Sequence, residues 1–335
     1  MQNPLVSIII PFKNTEDYIE ACFTSILKQT YTNFEVLAVN DNSSDASANI
    51  VQRITTKDSR FKILNNKGSG IISALQLAYS KASGDMITRM DSDDLMTANK
   101  LQVMVTNLLD YGKGHLALGK VNYFAENGIN NGYASYEKWL NDLTEKAANY
   151  TEIYKECVIP SPCWMVYKTD FDLCGGFNPN TYPEDYDLAF RFYKIGLKCI
   201  PSTEVLHLWR DYNTRTSRTS EHYAENNFLE LKIKYFLRLE HQIDKEIVIW
   251  GAGKKGKKIA QLLIEKKLNF EWVCDNPKKI GKHIYDVEMH SFKVLKNRLN
   301  TQIIITVANK EEQKSIKNFL QKESKIANEE YFFFC

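Results

Sequence analysis

Several groups of side chains in this sequence have the types and spacing for chemistry on charged or hydroxylated small molecules. Asp41 stands just past an apolar run at 34–39, and Asp91-Ser92-Asp93-Asp94 just past another at 86–90. Glu184 and Asp185 are adjacent, and His207 closes a third stretch at 202–207. Carboxylates this close repel one another, and a hard divalent cation relieves the repulsion. Mg²⁺ or Mn²⁺ held by one or two carboxylates together with substrate phosphates is the common arrangement. Neighbouring Glu184 and Asp185 raise each other's pKa, which suits a general base working near neutral pH. Asp, Asn and Ser also cap helices and build turns. Capping accounts for Asp45 and for one carboxylate of the 91–94 run, not three. Acidic residues at 184 and 185 also complement a helix dipole, a role compatible with catalysis.

These groups need a frame, and the N-terminal sequence alternates strand and helix patterns. The apolar, β-branched run at 6–10 reads as a buried strand, and further strands are read at 34–39, 61–64 and 86–90. Helical spacing follows at Tyr18, Ala21, Cys22, Ile26 and Leu27, then at Ala48, Val51 and Ile54, then at Ile71, Ala74, Leu75 and Ala78. This rhythm predicts a parallel sheet with helices on both faces. Ligands of such sheets bind beyond the carboxyl ends of the strands, where Asp41 and Asp91–Asp94 stand. Residues 111–160 read as irregular. Strands are expected at 163–167 and 202–207, a helix at 188–195, a polar loop at 210–220 carrying Arg210, Arg215 and Arg218, and a helix at 223–239 before a charged linker.

The motifs, taken in order, resemble family 2 glycosyltransferases of the GT-A fold. They are Val6-Ser7-Ile8-Ile9-Ile10-Pro11-Phe12-Lys13-Asn14, Ser25-Ile26-Leu27-Lys28-Gln29-Thr30-Tyr31, and Phe34-Glu35-Val36 leading to Asn40-Asp41-Asn42-Ser43-Ser44-Asp45. Arg89-Met90-Asp91-Ser92-Asp93-Asp94 follows, and Gly175-Gly176-Phe177 with Pro183-Glu184-Asp185-Tyr186-Asp187-Leu188 is similar to the acceptor-side signature. The chain departs at Asn40, where aspartate is usual, and at Asn42-Ser43-Ser44, where Asp-Gly-Ser is common. The resemblance implies an inverting, metal-dependent transferase moving a sugar from a nucleotide-sugar, UDP-linked, to a saccharide or lipid-linked acceptor in surface polysaccharide synthesis. It implies that Asp41 accepts a hydrogen bond from the base, that Pro11 and Asn14 border the nucleotide, and that Asp91 with Ser92 faces the ribose. Asp93, Asp94 and His207 are the implied ligands of Mn²⁺ or Mg²⁺, and Arg210 is set to meet the diphosphate. Asp185 is the implied base, with Glu184 orienting it or binding an acceptor hydroxyl. Trp164 and Tyr182 have faces for stacking on a sugar, and core packing uses the same rings.

A second αβ rhythm begins near residue 247. Gly251-x-Gly253-x-x-Gly256 follows a strand and opens a helix, and Asp275 ends the next strand. That context fits a nucleotide fingerprint, with an unidentified nucleotide at Gly251, Gly253 and Gly256. The same glycines permit tight strand–helix packing. The expected organisation is a GT-A domain over 1–222 with a mixed, mostly parallel sheet, a helical linker over 223–245 and a small Rossmann-like α/β domain over 246–335. A rival reading is an NAD(P)-dependent oxidoreductase using the 251–256 turn. It leaves Asp41, Asp91–Asp94 and Asp185 without a task, as does a non-catalytic sugar-binding module.

Composition removes other classes. Lys and Arg total 43 against 41 Asp and Glu, a net charge of +2, which gives no field for coating nucleic acid. The 7 cysteines form no CxxC pair, so neither a disulfide framework nor a zinc site is expected, and a reducing cytoplasm fits. No 18-residue apolar run and no signal sequence is present, which leaves peripheral contact with the inner membrane face and homo-oligomerisation as open questions.

Overall fold

The computed structural model describes residues 3–126, 128–215, 218 and 228–335. The chain divides into two compact units, Met1–Tyr150 with Cys157–Thr219, and Thr151–Glu156 with Ser220–Cys335.

The first unit begins with β1 (Val6–Phe12), α1 (Ile19–Leu27), β2 (Phe34–Asn40), α2 (Ser47–Thr55), β3 (Phe61–Asn65), α3 (Ile71–Tyr79) and β4 (Met86–Arg89). Every residue of β1 is buried, as a central parallel strand covered on both faces requires. The four strands lie parallel in the order β3-β2-β1-β4. Pro11 pairs with Val39 and Ile9 with Arg89, so Asp41 and Asp91 leave the sheet on either side of β1 at the same edge.

The unit continues with β5 (Leu95–Met96), α4 (Lys100–Tyr111), β6 (His115–Leu118), β7 (Lys120–Phe124), α5 (Asn131–Glu145), β8 (Trp164–Tyr167), α6 (Lys168–Leu173), α7 (Glu184–Lys194), β9 (Lys198–Ile200) and β10 (Val205–Arg210). The main sheet extends from β4 through β8, β6 and β9, and β8 runs antiparallel to both of its neighbours. It is the mixed, mostly parallel α/β sheet expected. A second sheet, β5-β10-β7, carries the chain past the acidic run.

Two sequence expectations are corrected here. Residues 111–160 are not irregular, because they hold β6, β7 and α5. The strands are short and separated by Gly119, whereas α5 opens in an Asn- and Gly-rich segment where Asn130 accepts the amide of Tyr133 as an N-cap. Arg210 is not a loop residue, since it ends β10, opposite Phe124 of β7. The expected helix start at Tyr223 and the loop residues 216, 217, 219 and 220 lie outside the described residues.

The second unit is a sheet of β11 (Glu246–Trp250), β12 (Phe270–Cys274), β13 (His283–Ile284), β14 (Val287–Ser291), β15 (Thr301–Ile305) and β16 (Tyr331–Phe333) in the order β13-β14-β12-β11-β15-β16. All pairs are parallel except β13–β14. This is a Rossmann-like arrangement, with helices at Leu229–Leu239, Lys254–Glu265 and Lys310–Lys322. Tyr154 joins this unit, stacked on Phe334 and edge-on to Phe236 and Phe332.

The glycines of the 251–256 turn divide their work. A Cβ on Gly256 would lie 2.1 Å from the Gly251 carbonyl oxygen, and Gly251 itself has φ +121 with Thr306 Oγ1 2.5 Å from a Cβ position. Both are required by the close approach of strand and helix. Around Gly253 nothing lies within 4 Å. Gly256→Ala is therefore expected to destabilise the second unit by about 1–3 kcal/mol, whereas Gly253→Ala leaves its thermal transition in place. Calorimetry of the two variants checks this, and equal transitions would contradict it.

No helix among the described residues is long and apolar enough to cross a membrane. The cysteines are free thiols, and those at 22, 163, 174, 199 and 274 are buried.

Candidate active site

The nucleotide side is built from the loops after β1 and β2. Asp41 is 5% exposed. Its carboxylate accepts from Asn66 Nδ2 at 2.7 Å and from the Gly70 amide at 3.0 and 3.1 Å. A carboxylate has about four lone-pair positions, so one acceptor position remains. Asn14 and Asn42 have φ of +50 and +58. Asparagine is among the few residues that adopt this left-handed conformation readily, so Asn42 can turn the chain as a glycine would. Asn14 Oδ1 accepts from the Ser44 amide at 2.8 Å, and the Asn14 amide donates to Ser43 Oγ at 3.2 Å. Pro11 lies within buried β1. Asp45 accepts the amides of Ser47 and Glu16 just before α2, whose N-cap residue is Ala46, so it ties the turn rather than serving as the cap expected of it.

At the end of β4 a buried guanidinium ties two acidic groups together. Arg89 donates through Nε to Asp91 Oδ1 and through an Nη to Glu184 Oε1, each at 2.9 Å. Burial works against the Arg89 charge, and Asp91, Glu184 and Asp185 overcome it. The other oxygen of Glu184 is buried without a hydrogen-bond partner among the described residues. Asp185 is partly buried. Burial and the charge of Glu184 push it up to about 7, against Arg89 and the Tyr186 amide. The start of α7 is held by Asp187 on Arg191 at 2.7 Å, and Arg191 donates on to the carbonyls of Cys174 and Gly176. The Gly175-Gly176 turn thereby anchors the helix that presents Glu184 and Asp185.

The acidic run splits by direction. Asp93 is partly buried. Its Oδ2 accepts from the Tyr212 hydroxyl at 2.8 Å, and Oδ1 has no hydrogen bond among the described residues. Burial and the charges of Asp94 and Asp91 push Asp93 up to about 7, against Arg215 and the Tyr212 hydrogen bond. Asp94 is fully buried, and both of its oxygens are used. Oδ1 accepts the Arg210 amide at 2.8 Å and Oδ2 faces His207 Nε2 at 3.0 Å. His207 is fully buried, and its Nδ1 lies 3.3 Å from Lys100 Nζ. Burial and the Lys100 ammonium hold this imidazole well below its usual pKa, so it is neutral. Both of its ring nitrogens are thus engaged by protein groups. Ser92 is 5% exposed.

Arg210, Arg215 and Arg218 are all engaged. Arg210 donates through Nε to the Asp93 carbonyl at 2.8 Å and lies over the rings of Tyr18 and Phe124. Arg215 lies over Trp209, and its charge is sustained by Asp94 and Asp93 against burial. Arg218 grips Asp211 through two hydrogen bonds, at 2.6 and 2.8 Å. Trp164 is a core residue, stacked on Phe171 and edge-on to Phe192.

Sequence reasoning missed Lys100 and Tyr212. Lys100 had a legible signal, because it begins the stripe Lys100, Met104, Leu108 on the buried face of α4. Tyr212 sits in a polar stretch without periodicity and had none.

This geometry belongs with the matches to known proteins. Residues 7–173 match the model of glycosyl transferase family 2. The chain is 34% identical over 202 residues to WfgD of Escherichia coli, named as a UDP-Glc:alpha-D-GlcNAc-diphosphoundecaprenol beta-1,3-glucosyltransferase, covering 58% of this chain and 72% of that one. The chain belongs to glycosyltransferase family 2. This glycosyltransferase is also 28% identical over 293 residues to an uncharacterized glycosyltransferase of Haemophilus influenzae, covering 81% of this chain and 88% of that one. Staphylococcus aureus TarS 1–349, solved in complex with UDP-GlcNAc, shares its fold with a TM-score of 0.56 at 18% identity, over 77% of this chain and 71% of that one. So does the mannosyltransferase PcManGT of Pyrobaculum calidifontis, solved with GDP-Man and Mn2+, with a TM-score of 0.53 at 17% identity, over 78% of this chain and 69% of that one. These likenesses establish the GT-A fold of the first unit. In the second unit, residues 242–327 match the model of the CoA binding domain.

Proposed function

We propose that this glycosyltransferase inverts configuration while moving a sugar from a nucleoside-diphosphate donor, UDP-linked, to a hydroxyl of a saccharide or lipid-linked acceptor in surface polysaccharide synthesis. The observation that carries this reading is the single sheet edge that collects Asp41, Asp91 and Asp93, with Arg89 joining Asp91 to Glu184 beside Asp185. The name of WfgD supports a UDP-sugar and a lipid-diphosphate acceptor, and the ligands of TarS and PcManGT support a nucleotide-sugar.

The donor side fits a divalent cation that relies on its substrate. Asp93 offers an oxygen without a hydrogen bond among the described residues, and burial together with the charges of Asp94 and Asp91 raises its pKa even against Arg215. Among the described residues no cluster of three or more His, Cys, Asp or Glu side chains is set to hold a metal alone. One or two carboxylates plus substrate phosphates is the usual Mn²⁺ or Mg²⁺ arrangement. Asp93 is the proposed ligand. Asp94 and His207, expected beside it, are proposed as supports instead, because their polar atoms are already occupied. Such a cation, when bound, offsets charge growing on the diphosphate leaving group.

The chain's own residues do the rest. Asp41 offers its remaining lone pair to the base, beside the end of β1 at Pro11 and the loop at Asn14. Asp91, held by Arg89, faces the ribose with Ser92. Arg210 is placed to meet the diphosphate. Asp185 takes the proton of the acceptor hydroxyl as that oxygen attacks the anomeric carbon. Glu184 offers its unpaired buried oxygen to an acceptor hydroxyl. In the second unit, the open space at Gly253 is offered to the diphosphate of a nucleotide, beside packing glycines Gly251 and Gly256.

The test is calorimetric titration of the full chain with UDP and with GDP, each with and without Mn²⁺. UDP binding that tightens with Mn²⁺ is expected, and a wild-type chain that binds neither nucleotide would overturn the reading. The same titration with CoA and NAD reports on the 251–256 turn.

A further inference from the structure

We infer that Lys100, His207 and Asp94 form a one-way buried hydrogen-bond chain that positions the Arg210–Tyr212 segment against Asp93, and that His207 is a positioning residue for donor binding. This rests on the donor reading above.

The direction of the chain follows from what each group can do. Lys100, His207 and Asp94 are all 0% exposed. An ammonium only donates. Lys100 Nζ donates to the Pro162 carbonyl at 2.5 Å and, at 3.3 Å, to His207 Nδ1. Nδ1 therefore accepts, and the neutral ring carries its proton on Nε2. Nε2 donates to Asp94 Oδ2 at 3.0 Å, and Asp94 Oδ1 accepts the Arg210 amide at 2.8 Å. The chain thus ends on the backbone at the last residue of β10.

Just beyond that amide lie the two groups that touch Asp93. Arg210 Nε binds the Asp93 carbonyl, and the Tyr212 hydroxyl binds Asp93 Oδ2. Tyr212 also rests on Tyr18, ring centroids 4.6 Å apart. A shift of the Arg210 backbone moves both contacts at once. Stability alone does not account for the arrangement, because burying such groups is costly and apolar replacements of similar volume are often neutral or better. The β5–β10 pairing at His207 and Met96 already fixes the strand through its backbone. What the side-chain network adds is the placement of residues 210–212.

The test compares full-length His207→Leu, His207→Gln and Lys100→Met with wild type. Glutamine retains a donor for Asp94 and an acceptor for Lys100, and leucine retains neither. Lys100→Met spares the imidazole but frees its tautomer, and it serves should the leucine variant fail to fold. Nitrogen-15 spectra of the wild type are expected to show His207 protonated on Nε2, and a ring protonated on Nδ1 would overturn the chain. Amide exchange at Arg210–Arg215 is expected to accelerate in His207→Leu and Lys100→Met, with β1 and β2 unchanged and His207→Gln close to wild type. UDP binding in the presence of Mn²⁺ is expected to weaken about tenfold in His207→Leu, the scale of losing an outer support of a metal site, and to recover in His207→Gln. Exchange unaltered at Arg210 in both disrupting variants overturns the positioning role whatever the nucleotide does. A wild-type chain that binds neither UDP nor GDP overturns the donor reading and the functional half of this inference, and the exchange pattern still decides the brace separately.

Discussion

Asp93→Asn is expected to abolish the Mn²⁺-dependent part of UDP binding and to lower kcat/KM by about 10³-fold, equivalent to about 4 kcal/mol of lost charge stabilisation. The reason is that Asp93 has the carboxylate oxygen left without a hydrogen bond. The inward-facing Asp94 cannot replace it, because it is fully buried with its oxygens turned onto His207 and the Arg210 amide. A second consequence runs the other way. The folded Asp93 carboxyl is raised to about 7 from 3.8. A carboxyl that binds its proton more tightly folded than unfolded costs stability as pH rises between those values, and the cost is complete above the folded pKa. Asparagine removes the charge and can still accept from Tyr212. Without metal at pH 8, Asp93→Asn is therefore expected to melt higher than wild type, with the difference vanishing below pH 4. Mn²⁺ with UDP should raise the melting temperature of wild type and leave that of the variant unmoved. A variant that melts lower at pH 8, or that keeps metal-dependent binding, refutes this account of Asp93. A trade of stability for function is the expected signature of a site that assembles like charges.

The parallel half of the fold was legible because β1, β2 and β4 are buried on both faces and so are mostly apolar in sequence. The rule that ligands sit beyond strand carboxyl ends then located Asp41 and the 91–94 run. The antiparallel half was harder to read. β14, with the sequence Val-Glu-Met-His-Ser, buries only Met289 and looks polar, because it lies next to the edge strand β13. β6 and β7 are short, and Lys120 and Asn122 interrupt the apolar residues of β7, while the apolar spacing of Tyr133, Tyr136, Trp139 and Leu140 in α5 was obscured by the Asn- and Gly-rich opening of that helix. Within the site, the residue types were readable and their directions were not. Asp93 and Asp94 are adjacent and chemically identical. Which one turns inward depends on His207, 113 residues away, and on Lys100 beneath it. Such a contact leaves no local trace. The same holds for Arg89, which bridges the neighbouring Asp91 to Glu184, 95 residues away.

That bridge bears on the second large effect, which concerns Asp185. Asp185→Asn is expected to lower kcat by about 10²- to 10⁴-fold, the range for removing a general base, with UDP and Mn²⁺ binding unchanged. Asparagine has nearly the same volume and retains an oxygen that can accept from the Tyr186 amide, as Asp185 Oδ1 does at 2.7 Å. The α7 start, held by Asp187, Arg191 and the 174–176 turn, should not move. The base acts only when deprotonated, so wild-type kcat/KM should rise with pH and level off above the raised pKa of about 7. Burial and Glu184 raise that pKa, while Arg89 lowers it. Arg89→Met should therefore shift the acid limb to higher pH, because removing the guanidinium leaves Glu184 and Asp185 as bare neighbours and the freed Asp91 charge acts in the same direction. The two variants separate the donor and acceptor sides. Loss of nucleotide binding in Asp185→Asn would place Asp185 on the donor, and an acid limb centred near pH 4 would mean that the group titrating in the profile lies outside the Glu184–Asp185–Arg89 cluster.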